Sequence, residues 1–327
     1  MKSVVPLVID SEESIWLAFY DFKKIYNKKH AIDISNNYAD FKRITIDFLN
    51  SLAKCTSFLF IKNNEVVGSY NTFLLNKDHP EEKLDVGLAF LDEKFIDQFK
   101  PEISSLIEQH KSSAKKVKAN IKNKNLQGIF KAHGFIFGNE DVWFHLKMEN
   151  LNRILIDNAL LANTPINNNI SIELNKELKG NEFSEIAHLM TVLLNDMKRS
   201  DKHETFKETP ERVQDIVNSH KKSKSNLFHL LLRNEKQELI GMCITVFKKD
   251  NPTSVNQFMT GVLKEYRGLG LPTWMKAYMY DYLQKNYPTI NLIKTDCYAD
   301  NTPMIHINKK MGFIEDKRTI EMIYENN

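Results

Sequence analysis

The segment most suited to chemistry runs from Thr260 to Pro272 and reads TGVLKEYRGLGLP. It lies between an apolar, strand-like run and an amphipathic helix pattern, and Gly268 and Gly270 remove side-chain bulk from it. Backbone amides at such a turn point toward one place, with the positive end of the helix dipole behind them. The segment therefore predicts a cradle for an anion such as a phosphate.

Two glycines alone leave a second interpretation open, because a glycine-bearing turn can also join a strand to a helix and bind nothing. The segment is not a Walker phosphate loop, since no Gly-Lys-Ser/Thr follows, and it lacks the three-glycine dinucleotide fingerprint. A second motif follows later in the chain. It begins at Asn301-Thr302-Pro303-Met304 and continues through Asn308, Met311, Gly312 and Phe313.

Together the two segments resemble the acetyl-CoA signature of the GCN5-related N-acetyltransferases, the GNAT family. Residues 260–275 read like the end of the family's fourth strand, its pyrophosphate loop and the helix that follows. Residues 301–313 look like the exit from the fifth strand and the fourth helix. The resemblance covers residues 227–324 well, and the whole chain is similar in layout to tandem, mycothiol synthase-like proteins.

This resemblance implies acetyl-CoA as cosubstrate and a set of residues that bind it, with no metal. The backbone of Thr260, Gly261 and Val262 would pair with the pantetheine arm where two strands splay apart. Asn301 would contact the cofactor from the fifth strand. The residues expected at the pyrophosphate are Arg267, Gly268, Leu269, Gly270, Leu271, Pro272 and Thr273. The implied reaction is attack of a primary amine of a small molecule or peptide on the thioester.

The sequence departs from the family pattern at three places. Glu265 occupies the first loop position, where members often have Gln or Arg. Asn308 replaces the tyrosine that many members use to protonate the leaving thiolate, and an asparagine cannot donate a proton in that way. The strand from Val255 to Met259 lacks the carboxylate that some members use as a base. The general base and the general acid therefore stay open.

Three side chains are catalytic candidates, each with a plainer interpretation beside it. His203 and Glu204, between the first two helices of the C-terminal half, would overhang an amine site, although loop residues of this kind are more often solvated. Tyr298 follows the fifth strand and could serve as the acid, although an aromatic at a strand end is more often packing. His306 and Cys297 are expected to be a helix residue beside the core and a core thiol.

Hydrophobic periodicity predicts the elements that must position these residues. In the C-terminal half the order is a strand, two helices and a hairpin, then strand, helix, strand, helix and strand. The strongest helical pattern begins at Pro272, directly after the loop. The predicted strands cover residues 170–174, 227–232, 239–247, 255–263, 291–297 and 318–324.

The N-terminal half repeats this plan, which indicates a tandem duplication. Gly134 and Gly312 differ by 178 positions (312 − 134), and the hairpin glycines Gly68 and Gly241 differ by 173 (241 − 68). The resemblance then implies an α/β (α+β) fold of two GNAT-like domains, each a mixed, mostly antiparallel sheet flanked by helices.

The expected domain boundaries follow from the same comparison of the halves. Residues 1–150 would form a degenerate domain without the CoA loop, because Asp92 and Glu93 put negative charge where a pyrophosphate needs amides. Residues 151–169 would be a linker, and residues 170–327 would form the domain with the acetyl-CoA site.

Composition excludes several classes of protein. Among 327 residues, 45 basic and 42 acidic side chains leave a net charge of only +3, which gives no long-range attraction to nucleic acid. The longest apolar run, residues 239–247, is shorter than a membrane span, and nothing at the start directs export. Three scattered cysteines indicate a reducing compartment. We expect a cytoplasmic protein without nucleic-acid or membrane partners, whose oligomeric state the sequence leaves open.

The leading hypothesis is an acetyl-CoA-dependent N-acetyltransferase. The alternative is a non-catalytic acyl-CoA-binding or interaction protein, favoured by Asn308 and by the acid-free fourth strand. Turnover with an amine distinguishes the two.

Overall fold

The structure is a computed structural model. It describes residues 2–29, 37–51, 54–74, 83–197, 205–249 and 252–326. The chain divides into two compact units, which we call unit 1 and unit 2. Unit 1 comprises Met1–Glu140 and Thr319–Asn327, and unit 2 comprises Asp141–Arg318.

Strands and helices alternate along the described chain. The strands are β1 (Lys2–Pro6), β2 (Lys54–Lys62), β3 (Glu65–Leu74), β4 (Lys83–Phe90), β5 (Lys116–Ile121), β6 (Ile136–Lys147), β7 (Ser171–Asn175), β8 (Ser225–Arg233), β9 (Leu239–Lys248), β10 (Ser254–Val262), β11 (Leu292–Tyr298) and β12 (Ile314–Glu325). The helices are α1 (Glu13–Lys29), α2 (Tyr38–Ser51), α3 (Glu93–Gln98), α4 (Lys100–Lys111), α5 (Lys124–Ala132), α6 (Arg153–Ala162), α7 (Thr164–Asn167), α8 (Glu182–Asp196), α9 (Pro210–Lys222), α10 (Leu271–Asn286) and α11 (Thr302–Met311).

The two units have the same strand order and the same strand directions. In unit 1 the order is β1-β2-β3-β4-β5-β12, with β4 and β5 parallel and the other pairs antiparallel. In unit 2 the order is β7-β8-β9-β10-β11-β6, with β10 and β11 parallel and the other pairs antiparallel. Each unit is thus a mixed, mostly antiparallel sheet flanked by helices, as expected.

One strand in each unit comes from the other half of the chain. Residues 320–325 of β12 pair with β5 in unit 1, and residues 141–147 of β6 pair with β11 in unit 2. The units therefore differ from the boundaries 1–150 and 170–327 that the sequence suggested. Alternating residues predict a strand, but they do not say which neighbour it will pair with.

The segment expected to be a linker, residues 151–169, is mostly helical and belongs to the body of unit 2. It contains α6 and α7, and Leu151 and Ile156 are buried in the same core as α10. Asparagines near the ends of this segment favoured a loop in the sequence interpretation, although the segment also contains apolar core positions. Asn152 caps α6 by accepting a hydrogen bond from Leu155 N, and Asn163 ends it in a left-handed conformation.

The core of unit 2 has two layers, one on each face of its sheet. Helix α10 packs on one face, where Met275, Met279 and Ile293 are fully buried. Helices α8 and α9 pack on the other face, where Leu193 joins Met242. No helix in the described ranges is long and apolar enough to cross a membrane.

Candidate functional site

A gap opens in the sheet of unit 2 between the parallel strands β10 and β11. The two strands pair only from Ser254 to Asn256, opposite residues 292–294, although both continue well beyond this point. One side-chain bond, from Thr295 Oγ1 to Gln257 O at 3.2 Å, crosses the start of the gap. Toward β11, residues 258–262 have no ladder partner in the described part of the chain. Their backbone groups are available to a ligand.

A bulge in β10 lies where the gap begins. The register shifts between Gln257 and Met259, so that Gln257 is buried. Its side chain accepts a hydrogen bond from Tyr280 OH and donates one to Thr260 Oγ1. Thr260 Oγ1 in turn lies 3.4 Å from Cys243 Sγ. A buried polar cluster therefore lies on the α10 side of the gap, where an apolar core would otherwise continue.

The loop after β10 turns directly into the N-terminus of α10. Gly268 and Gly270 have φ values of 84° and 77°, a region that favours glycine. A Cβ at either position would meet no atom within 4 Å, so the loop is open to ligands. Gly270 is the N-cap and provides no capping side chain, and Pro272 lies in the first turn. The positive end of the helix dipole is therefore exposed at the loop.

The free amides of this loop are fewer than the sequence suggested. Arg267 N donates to Lys264 O at 3.2 Å within a 3-10 turn, and Pro272 has no N–H. The remaining amides donate to no acceptor among the described residues; they belong to Gly268, Leu269, Gly270, Leu271 and Thr273. Five free donors beside an uncapped helix start are suited to binding a phosphate group.

Helix α8 fixes this loop and the adjoining strand from the opposite face. Arg267 Nη2 lies 2.9 Å from Asp196 Oδ2 at the end of α8, and both side chains are partly exposed. Glu265 is exposed. A Cβ on Gly261 would be 2.8 Å from Leu193 Cδ1, so the glycine lets α8 approach β10 closely.

Asn301 and Tyr298 lie at the end of β11, beyond its last pair with β10. Asn301 is the N-cap of α11, and its side-chain oxygen accepts a hydrogen bond from Met304 N at 3.3 Å. Asn301 N also donates to Tyr298 O at 2.9 Å. The side chain expected to contact a cofactor therefore also fixes the start of the helix, which leaves its NH₂ group for a ligand.

Comparison with known proteins gives the fold a name, although no family model and no curated protein matches the sequence. A tandem GNAT protein from the clavulanic acid biosynthesis pathway, determined without AcCoA, superposes with a TM-score of 0.68 at 14% identity, covering 99% of this chain and 98% of that one. A GCN5-related N-acetyltransferase from Sphaerobacter thermophilus gives a TM-score of 0.63 at 10% identity, covering 99% and 95%.

This chain has the tandem GNAT fold. A third similar structure is the GCN5-related glucosamine N-acetyltransferase region of a fungal multi-domain β-N-acetylglucosaminidase, with a TM-score of 0.61 at 11% identity. It covers 99% of this chain and 38% of that one. The resemblance noted in the sequence is thereby confirmed at the level of the fold, including its tandem arrangement.

Within this GNAT fold, unit 1 differs from unit 2 at the corresponding strand-to-helix turn. Asp92 is the N-cap of the six-residue helix α3, and its side chain accepts a hydrogen bond from Lys94 N at 3.0 Å. That bond lowers the pKa of Asp92. Strand β5 extends only to Ile121, one residue beyond its last pair with β4. Unit 1 thus has a smaller opening and a carboxylate at its helix start.

Asn308, at the position where the sequence lacks a tyrosine, is completely buried in unit 2. Its Oδ1 accepts a hydrogen bond from Lys276 Nζ at 2.7 Å, and its Nδ2 has no partner among the described residues. Lys276 is 1% exposed. Burial lowers the pKa of Lys276 to about 8. A buried amine and a buried amide therefore face each other beside the gap.

The remaining sequence candidates occupy different surroundings. His203 and Glu204 lie outside the described residues. His306 is exposed on α11. Cys297 is half-buried, and burial raises its pKa to about 12, so it is a poor nucleophile, as expected. No group of three or more His, Cys, Asp or Glu side chains in the described ranges is arranged to hold a metal ion.

Sequence reasoning missed Lys276, Gln257 and Tyr280. A signal for Lys276 was present, because Met275 and Ala277 on either side of it are apolar and a lysine inside such a helix needs an explanation. Gln257 gave no signal, since a polar residue in a strand normally faces solvent. Tyr280 lies within an apolar helix pattern, and only the hydrogen bond to Gln257 gives it a polar role.

Proposed function

We propose that this protein is an acetyl-CoA-dependent N-acetyltransferase of the cytoplasm that acylates a primary amine of a small molecule or peptide. The observation that carries this proposal is the alignment of two features in unit 2. The gap between β10 and β11 leads to the uncapped start of α10, so an extended arm and a diphosphate can be bound in sequence.

Backbone geometry supports the binding part of the proposal. Residues Thr260, Gly261 and Val262 present an unpaired strand edge to the amides of a pantetheine arm. The free amides of the loop from Arg267 to Thr273 would bind the pyrophosphate, and Asn301 would offer its NH₂ group from the end of β11. Backbone groups of this kind suit any CoA thioester and do not by themselves select the acyl group.

Catalysis in this proposal consists of orientation and proton handling. Attack of a neutral amine on the carbonyl carbon forms a C–N bond and breaks the C–S bond, and the sulfur leaves with the bonding electrons. A base must remove one proton from the nitrogen, and an acid must supply one to the sulfur. Tyr298 is the acid candidate from sequence, and His203 and Glu204 are the candidates on the acceptor side.

Binding and turnover are tested separately. Calorimetry with acetyl-CoA should give a saturable binding signal. An excess of free CoA, added first as a competitor, should abolish this signal. Release of free CoA is then followed with a panel of small amines and of peptides with free amino termini. Acetyl-CoA binding without CoA release for any amine would support the acyl-CoA-binding alternative, which Asn308 favours. No binding at all would contradict the proposal.

A further inference from the structure

Lys276 is a buried ammonium group without a buried anion. Its side chain is 1% exposed, and among the described residues no carboxylate acts on its charge. Its described contacts are Asn308 Oδ1 at 2.7 Å and the ring of Phe313, whose centroid is 5.4 Å from Nζ. Burying an ammonium without a counter-charge is costly, so a ligand that brought a negative charge to this place would lower that cost.

Asn308 adds a second unsatisfied group next to this ammonium. Its Nδ2 is buried with no partner in the described chain, although buried polar groups are nearly always hydrogen-bonded. The lysine also has more N–H groups than the single oxygen of Asn308 can accept. Buried donors therefore outnumber acceptors at this point, which is the pattern expected where a ligand brings an acceptor or a negative charge.

The position of Lys276 relates this excess of donors to the gap between β10 and β11. Its charge interacts with the thiols of Cys243 and Cys297. Cys297 lies in the part of β11 beyond its last pair with β10, and Cys243 lies opposite Thr260 in the register of β9 and β10. Nζ is therefore near β9 and β11, and of these two strands β11 borders the gap.

We propose that Lys276, held by Asn308, donates the proton that the departing CoA thiolate takes up. This inference rests on the proposed function. As the C–S bond breaks, one N–H bond of Nζ breaks and its proton moves to sulfur, which leaves a neutral amine on Lys276. The new amide nitrogen loses its extra proton to solvent, and Lys276 regains a proton from solvent after CoA departs. Lys276 thus takes the role of the tyrosine that Asn308 replaces, and Asn308 holds Lys276 in position.

The acidity of Lys276 suits this step. Burial lowers its pKa from 10.5 to about 8, close to the value of about 8.5 for an ordinary thiol. The groups that face it are Asn308 from α11, Phe313 before β12, Cys243 from β9 and Cys297 from β11. Both thiols have raised pKa values and stay neutral near pH 8. Lys276 is therefore the titrating group of the cluster in this range.

The first test uses CoA and desulfo-CoA as probes and needs no acceptor. In the wild-type chain the bound thiol, followed by ultraviolet absorbance of its thiolate, should titrate about one pH unit or more below free CoA. Near pH 8, where part of Lys276 is protonated and part of the CoA is ionised, CoA should bind more tightly than desulfo-CoA. Both effects should disappear in Lys276→Met and persist in Lys116→Met, which alters a buried lysine of unit 1 that pairs with Glu325.

The second test uses turnover with any amine found to be acetylated. Lys276→Met should lower the rate by about 10²–10⁴-fold with acetyl-CoA affinity nearly unchanged. The wild-type rate should fall as the pH rises through about 8, because the acid must be protonated. Lys276→Arg should move this fall to higher pH, since an arginine stays protonated.

Asn308→Asp covers the case in which Lys276→Met does not fold. A carboxylate beside Nζ should raise the pKa of Lys276, as measured by NMR of labelled lysine in the free protein, and should weaken the effect on the bound thiol. An unchanged thiol titration in Lys276→Met or Asn308→Asp overturns the inference. The inference also fails if Tyr298→Phe, and not Lys276→Met, removes the shift in the titration of the bound thiol. It fails as well if acetyl-CoA acetylates Lys276 itself. If the wild-type chain binds no CoA, the proposed function fails instead.

Discussion

Gly261 on β10 and Leu193 on α8 lie so close that a Cβ on the glycine would be 2.8 Å from Leu193 Cδ1. Three atoms of the same leucine lie within 3.5 Å of that point. The contact sets the distance between α8 and the strand that borders the gap. Any side chain at position 261 must displace Leu193 from a core in which the leucine is buried.

Gly261→Ala should therefore lower the free energy of unfolding by about 1–3 kcal/mol, the usual cost of overpacking. Urea unfolding measures it. Leu193→Ala makes room for the new methyl group, so the double variant should lose less stability than the sum of the two single variants. Strict additivity would show that Leu193 is not what the new side chain meets.

Gly270→Glu should weaken acetyl-CoA binding by placing a negative charge in the loop that we propose binds the pyrophosphate. The position has φ 77° and open space around it, so the chain should still fold with some backbone strain. Gly270→Gln is the matched control, because it has the same strain and nearly the same shape without the charge. We expect the dissociation constant for Glu to exceed that for Gln by tenfold or more, equivalent to about 1.4 kcal/mol. Equal affinities would remove the pyrophosphate from this loop.

Acetyl-CoA should bind with a stoichiometry of one per chain. In unit 1 the carboxylate of Asp92 already accepts the hydrogen bond from Lys94 N that an anion would need. Calorimetry on the wild-type chain should give a single site, and Gly270→Glu should remove it without revealing another. Two equivalent sites would contradict the assignment of binding to unit 2 alone.

His229 should make the protein less stable in mild acid. Burial lowers its pKa from 6.5 to about 4, with smaller effects from the Asn175 backbone and from His220. The unfolded chain therefore binds a proton between these values when the folded chain does not. The neutral, buried His229 makes its full contribution to the free energy of unfolding above about pH 6.5. This contribution falls by about 3 kcal/mol as the pH decreases to 4.

His229→Gln should flatten this pH dependence in urea unfolding measured at several pH values. The matched control is His306→Gln, which makes the same substitution at an exposed position of α11. A steep acid loss that persists in His229→Gln would assign it to the carboxylates of the chain.

Local patterns in the sequence were enough to predict the elements around the site. The strand expected at 255–263 is β10 at 254–262, and the helix expected from Pro272 is α10. Periodicity of 2 or 3.6 and the Gly and Pro signals are short-range properties of the sequence. They therefore predict a strand or a helix even when the elements that pack against it are unknown. Repetition of these signals also predicted the tandem fold.

The exchange of β6 and β12 between the halves could not be predicted in this way. Strand pairing is a long-range choice, and both strands have ordinary alternating patterns. The helices α6 and α7 were hidden for a related reason, because their asparagine-rich ends are typical of loops as well as of helix caps.

The sequence by itself determined that a glycine-bearing turn precedes the helix at Leu271, since the glycines and the helix start are neighbours in the chain. Only the tertiary structure decided that β10 and β11 separate after Asn256, and that Lys276 is buried against Asn308. The physical reason is distance along the chain. The charge of Lys276 is desolvated by strands and helices that are remote from it in the sequence. Its hydrogen-bond partner Asn308, for example, is 32 residues further along the chain.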